Sequence, residues 1–264
     1  MRFTIKSDEG LPIRGNLDAP RQARALVIIV HGFKGFKDWG FFPWLGEYLR
    51  ENQIAVCRFN MSRNGIGTKL DTFDRLDLFA DDTYSVQLAD LRSVVARCQK
   101  RLHIPTFLLG HSRGGGVALL GAHDVPNLRG VITWSSIARV DRWDEATKRQ
   151  WRRDGYLDVL NTRTKQMMRT STGVLEDFEA NGDRLDILAA ASRLEVPLLV
   201  IHGARDESVP VSESLEIASA ARDATRLVIG SATHTYNAIH PLVTVPRELD
   251  LAAAVTTPFV TAHV

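Results

Sequence analysis

Cysteine is nearly missing from this chain of 264 residues: only Cys57 and Cys98 are present. Two cysteines rule out a disulfide framework. Cys57 lies in an apolar run and Cys98 in a helical pattern, so buried free thiols in a reducing compartment are expected. Long hydrophobic runs are missing too. The longest purely apolar run near the start, Ala25–Val30, has the length of one strand and is far too short to span a bilayer. The opening MRFTIKSDEG lacks the apolar core of a signal peptide. A cytoplasmic protein with no membrane span is the expectation. Nor is there an excess of one charge. With 33 Lys and Arg against 31 Asp and Glu, the net charge is +2, which argues against nucleic acid as a partner. The one basic cluster, Lys148–Arg153, is bracketed by Asp144, Glu145 and Asp154 and reads as a solvated helical face.

What is present is ordinary globular material, 44% hydrophobic and 24% charged, long enough for a sizeable core. There is no internal repeat. Short β-rich runs alternate with longer helical patterns, which predicts a parallel sheet covered by helices. Residues 1–6 and 12–17 read as an N-terminal hairpin. Strands are expected at 25–30, 54–59, 106–109, 130–134, 197–201 and 226–229. Helices are expected at 44–51, 81–101, 115–122, 212–221 and 246–255. The alternation breaks between Ala138 and Ala191, a charged segment rich in Arg, Trp and Met. An insertion of that size in an α/β sheet usually covers an active site. The expected division is therefore a core of residues 1–137 and 192–264, with a helical lid at 138–191.

One stretch concentrates the chemistry. In Thr106–Gly121, TFLLGHSRGGGVALLG, a strand pattern stops at Gly110-His111-Ser112-Arg113-Gly114-Gly115-Gly116 and a helical pattern follows at once. A phosphate loop would place Lys and then Ser or Thr after the last glycine, but Val117 stands there. A dinucleotide fingerprint, Gly-x-Gly-x-x-Gly, is absent as well. What remains is a nucleophile turn, in which glycines two before and two after a serine let strand and helix approach closely. A serine hydroxyl needs a base, and the base needs an orienting carboxylate. Beyond Ser112 the chain supplies Asp206, just after the 197–201 strand and a glycine turn. His234 then follows the 226–229 strand. Asp206 is preferred to Glu207 because it emerges first from the glycine turn, and His234 to His240 because it lies closer to the last strand. His31-Gly32-Phe33-Lys34-Gly35 follows the 25–30 strand. Its Phe33 amide, with that of Arg113, suits an oxyanion hole. His31, His111 and His202 read as structural.

These pieces resemble the α/β-hydrolases, in the branch of small esterases and lipases that includes the cinnamoyl and feruloyl esterases. The resemblance covers essentially the whole chain. It is carried by His31-Gly32-Phe33, Arg58-Phe59-Asn60 with Gly65-Ile66-Gly67, Gly110–Gly115, His202-Gly-x-x-Asp206-x-x-Val209-Pro210, and His234. It implies a mostly parallel sheet of about eight strands with helices on both faces and a helical lid after the sixth. It also implies Ser112, Asp206 and His234 as the triad, with no metal and no organic cofactor. The family's frequent Arg-Gly-x-Gly after the fourth strand is replaced here by Met61–Gly67, whose role stays open.

The expected activity is carboxylic-ester hydrolysis through an acyl-enzyme. Amide or peptide hydrolysis by the same residues, haloperoxidation and carbon–carbon cleavage stand as alternatives, as does a non-catalytic binding module. The expected partner is a small-molecule ester, aryl or anionic, met by a monomer or homodimer. Lys34, Trp143 and Met167 are candidate substrate contacts. Trp143, Trp151, Met167, Met168 and Phe178 suit either an acyl or aryl pocket or the lid's own core. Lys34, Lys37, Arg63 and Arg113 are either ordinary surface charges or an electropositive mouth that would favour a negatively charged substrate.

Overall fold

Six consecutive apolar residues in a strand need cover on both faces, and Ala25–Val30 has it. In the computed structural model, which describes residues 1–69 and 71–264, this segment is strand β3 and every residue of it is buried. Leu26, Ile28 and Val30 enter one hydrophobic cluster, while Ala25, Val27 and Ile29 enter a second one on the opposite face. The period-2 alternation of a strand thus divides one apolar run between two cores.

The other strands are β1 (Arg2–Lys6), β2 (Pro12–Asp18), β4 (Ile54–Asn60), β5 (Thr106–His111), β6 (Leu128–Trp134), β7 (Tyr156–Asn161), β8 (Gln166–Ser171), β9 (Leu198–Gly203) and β10 (Ala224–Ile229). The helices are α1 (Phe42–Glu51), α2 (Leu76–Ala80), α3 (Tyr84–Gln99), α4 (Arg113–Gly121), α5 (Glu145–Asp154), α6 (Thr172–Ala180), α7 (Ile187–Ser192), α8 (Val211–Ala220) and α9 (Arg247–Ala262). Eight strands form one sheet in the order β1-β2-β4-β3-β5-β6-β9-β10. The first two pairings, β1 with β2 and β2 with β4, are antiparallel and all the others are parallel. The core helices α3, α4 and α8 bury Leu91, Val117 and Ile217 in the first cluster. On the other face α1 and α9 bury Leu45 and Leu249 in the second. The predicted strands and core helices all form, the N-terminal hairpin included. Cys57 and Cys98 are buried free thiols.

Register decides where the site lies. Val30 pairs with Gly110, His111 with Trp134, Trp134 with Ile201, and Ile229 with Gly203. The carboxyl ends of β3, β5, β6, β9 and β10 therefore share one edge, and the loops that follow them converge there.

The segment after β6 corrects one expectation, since it is only partly helical. Between α5 and α6 it folds into an antiparallel ribbon of β7 and β8. The exposure of this ribbon alternates along each strand: Leu157, Val159, Met168 and Thr170 are fully or partly buried, while Tyr156, Asp158, Leu160, Met167 and Arg169 are exposed. No apolar run marks it in the sequence. Its last helix, α7, packs against α4 and α8 and is continuous with the core. The basic cluster lies on α5. Arg152 there meets Glu179 at 2.5 Å, and Lys148, itself buried, pairs with Asp141 and with Glu145. Among the described residues no helix is long and apolar enough to cross a membrane.

Candidate active site

β5 ends at His111 and α4 begins at Arg113, so Ser112 alone makes the turn. It has φ 58° and ψ −126°, a conformation that costs an L residue about 1–3 kcal/mol. A Cβ on Gly110 would run into the carbonyl of Gly114, and one on Gly114 into the carbonyl of Val30. Glycine at those two positions is what lets strand, turn and helix approach. The Ser112 N–H donates to the Trp134 carbonyl at 2.9 Å, tying the turn to the end of β6.

Asp206 and His234 meet beside this turn. His234 Nδ1 lies 3.0 and 2.9 Å from Asp206 Oδ1 and Oδ2. Against a carboxylate this nitrogen carries the proton and donates, which leaves Nε2 free to accept. The Asp206 carboxyl is fully buried and receives the N–H groups of Ser208 and Val209 at 2.9 and 2.8 Å. Burial alone would raise its pKa. Hydrogen bonds from His202 and His234, the His234 charge and the Val209 amide outweigh that and hold it well below the usual carboxylate range. Glu207 is exposed. His240 sits elsewhere, accepting the Gly40 N–H at 2.8 Å and stacking on Trp39.

His202 is the residue that sequence reasoning under-read. Its Nε2 is 3.2 Å from Asp206 Oδ2 and 3.0 Å from the Val209 carbonyl, so it supports the carboxylate that holds His234. His111 is structural as expected: Nε2 donates to the His234 carbonyl at 2.9 Å. Burial, with His234 nearby, lowers its pKa to about 3. His31 donates from Nδ1 to the Gly32 carbonyl at 3.0 Å and accepts the Met61 N–H at 3.3 Å. Burial lowers its pKa to about 4. Both rings are neutral at ordinary pH.

The loop after β3 crosses Ser112 so closely that a Cβ on Gly32 would lie 2.9 Å from the serine Cβ. Met61–Gly67 braces this loop. Asn64 Nδ2 donates to the Gly35 carbonyl at 3.3 Å and lies 3.4 Å from His31 Nε2. That is the structural role of the segment that departs from the family pattern. The backbone N–H groups of Phe33 and Arg113 have no hydrogen-bond partner among the described residues.

Two adjoining cavities of about 240 and 440 Å³ open on the turn. Both are lined by Ser112, His234, Phe33 and Lys34. A larger surface depression of about 690 Å³ contains none of these residues. Trp143 lines the 440 Å³ cavity and also stacks on Phe178, ring centroids 5.7 Å apart, so it is both pocket wall and insertion core. Met167 is a correction. It is 54% exposed and lines neither cavity, because the ribbon's alternation turns it outward and buries Met168 instead. Of the four basic candidates, Lys37 is buried and paired with Asp38, and Arg63 pairs with Glu9 at 2.7 Å. Neither lines a cavity, whereas Lys34 and Arg113 do. Arg142 and Arg163, which sequence reasoning missed, also line them. Among the described residues no group of three or more His, Cys, Asp or Glu side chains is placed to hold a metal ion.

The family model described as "Serine aminopeptidase, S33" matches residues 21–153, half of the chain. The chain belongs to this family and is an enzyme of the α/β-hydrolase class. One relative, the uncharacterized protein YfhR of Escherichia coli O157:H7, is 26% identical over 236 residues, 87% of this chain and 70% of that protein. Among solved structures, Est1E of Butyrivibrio proteoclasticus with ferulic acid bound superposes with a TM-score of 0.77 at 22% identity, covering 99% of this chain and 98% of that one. The monoacylglycerol lipase of Paleococcus ferrophilus gives 0.69 at 17% identity, covering 96% and 99%. At such identities the structural likeness speaks for the fold alone.

Proposed function

From membership of that hydrolase family, we propose that this enzyme is a serine esterase acting on small carboxylic esters. Ser112 Oγ attacks the acyl carbon while His234 Nε2 takes its proton, and Asp206 holds the imidazole in the tautomer that makes this possible. The Phe33 and Arg113 amides donate to the oxygen that becomes negative. The tetrahedral adduct collapses, the protonated His234 gives its proton to the leaving alkoxide, and the alcohol departs. Water, deprotonated by the same imidazole, then attacks the acyl-enzyme and releases the acid. The 138–191 segment covers the pocket. One observation carries the reading: a buried carboxylate grips His234 through both oxygens, beside a strained serine that opens on the same cavities.

The family's description offers aminopeptidase action as a second reading. A free α-ammonium group calls for an acidic partner, yet neither cavity has an Asp or Glu among its described lining residues, and four cations are there. That observation favours esters. Ser112→Ala is expected to abolish turnover of p-nitrophenyl acetate, by about 10³-fold or more, and labelling by a fluorophosphonate, with an unchanged unfolding midpoint. Retained turnover overturns the assignment of Ser112. Faster cleavage of alanine p-nitroanilide than of matched esters overturns the ester reading.

A further inference from the structure

Lys34 and Arg113 bring positive charge to the Ser112 cavity, and neither forms an ion pair with a carboxylate among the described residues. We propose that the ester cleaved there carries a carboxylate of its own, bound by these two side chains. The inference rests on Ser112 being the nucleophile and adds the chemical class of the substrate.

Arg113 is the stronger observation. Its side chain is buried at 6% exposure and lines the 440 Å³ cavity next to Ser112. Nη2 donates to the backbone carbonyl of Asp82 at 2.7 Å, and the guanidinium carbon lies 4.0 Å from the centre of the Tyr84 ring. Nε has no partner among the described residues, and no carboxylate oxygen there comes within ion-pair distance of the group. Of the nearby acids, Asp82 is buried; its Oδ2 accepts from Gln87 at 2.7 Å and its Oδ1 has no partner among the described residues. Burial raises its pKa and the Arg113 charge draws it down against that, without an ion pair being formed. Glu213 takes Arg142 through both oxygens at 2.7 Å and the Ala138 N–H at 2.6 Å. Arg142 is thus ion-paired, whereas Arg113 has no ion pair among the described residues.

A guanidinium buried without a counter-ion is costly. Placing it at the first residue of α4 adds to the cost, because the helix N-terminus is itself electropositive. Cation–π contact with Tyr84 and, more distantly, Phe33 offsets only part of that cost. What a cation gains is a bound anion, for which guanidinium, ammonium and helix end all act with the same sign. Lys34 extends the same field. It lines both cavities, and its only hydrogen bond among the described residues is to the Leu160 carbonyl at 3.2 Å. The larger cavity also has an apolar wall of Ile137, Trp143, Val159 and Val174, beside the polar Thr170 and Ser208. This suits a short acyl or aryl unit ending in a carboxylate.

The test compares two matched pairs on the intact enzyme. Mono(4-nitrophenyl) glutarate against 4-nitrophenyl methyl glutarate places the charge on the acyl side. 4-Acetoxybenzoate against its methyl ester places it on the leaving-group side. In one pair the acidic member is expected to have a kcat/KM about tenfold higher or more at low ionic strength, with the gap narrowing as salt is added. Arg113→Met should collapse that acid-to-neutral ratio and Lys34→Ala should reduce it; a ratio is read so that general damage to either variant cancels. Ratios of one or less for both pairs in the wild-type enzyme overturn the anionic substrate and leave the esterase standing. No turnover of any of the four, together with no fluorophosphonate labelling, overturns the role of Ser112 and this inference with it.

Discussion

Ser112 has a conformation that an L residue adopts only under compulsion, and the compulsion is local. Gly110 and Gly114 allow the approach, and the Ser112 N–H bond to Trp134 fixes it. Glycine takes positive φ without the Cβ penalty but loses more backbone freedom on folding. Ser112→Gly is therefore expected to raise stability by about 1 kcal/mol, the difference between relieved strain and added entropy, while eliminating turnover. Urea denaturation measures it, and a variant less stable than wild type would mean that the turn stores no strain. At this scale much was legible. The order serine, acid, histidine, each just past a strand, pointed to Asp206 and His234, which meet, and to Ser112, which lines the same cavities as His234. His202 was not legible, because its bond to Asp206 depends on how β9 and the following turn fold back. Arg142 and Arg163 were missed because loops distant in sequence carry them to the cavity.

Among the elements, those with an uninterrupted apolar signal were read correctly and the amphipathic ribbon was not. β3 and β9 are buried on both faces, so they announce themselves as runs. In the β7–β8 ribbon Tyr156, Leu160 and Met167 are exposed alongside Asp158 and Arg169, so neither an apolar run nor a clean apolar–polar alternation marks it. Its two adjacent methionines separate ribbon from helix. Met168 is fully buried against Phe36, Phe73 and Phe79, while Met167 is exposed. Met168→Ala should cost about 2–4 kcal/mol, and Met167→Lys less than about 0.5 kcal/mol, with KM for short esters unchanged by the latter. Equal effects at the two sites in chemical denaturation would contradict the ribbon. The Met61–Gly67 segment teaches the same lesson: its sequence matched no expected pattern, yet its Asn64 braces the loop that crosses Ser112.

For the whole molecule, burial of a carboxyl that lines neither cavity sets how stability follows pH. Asp90 on α3 has no exposed surface and accepts the Ser62 N–H at 2.6 Å. Burial raises its pKa to about 7 despite that bond. Between about pH 4 and 7 the folded protein keeps a proton that the unfolded chain has lost. The contribution is fully present below about pH 4 and is lost as pH rises through 7. Asn at this position does not titrate, so Asp90→Asn should gain about 3 kcal/mol relative to wild type between pH 5 and pH 8, read by urea denaturation at both. The same difference at the two pH values would rule out a buried, protonated Asp90. The sequence by itself determined the α/β class, the sheet's buried strands, the long helices and the order of the chemical groups. All of these are written in local periodicity and in short glycine patterns. Only the tertiary structure decided which charges meet the cavity, which face of the ribbon is buried and what supports Asp206. Those outcomes depend on contacts between residues dozens of positions apart, brought to one edge of the sheet by strand register, and no local pattern encodes that register.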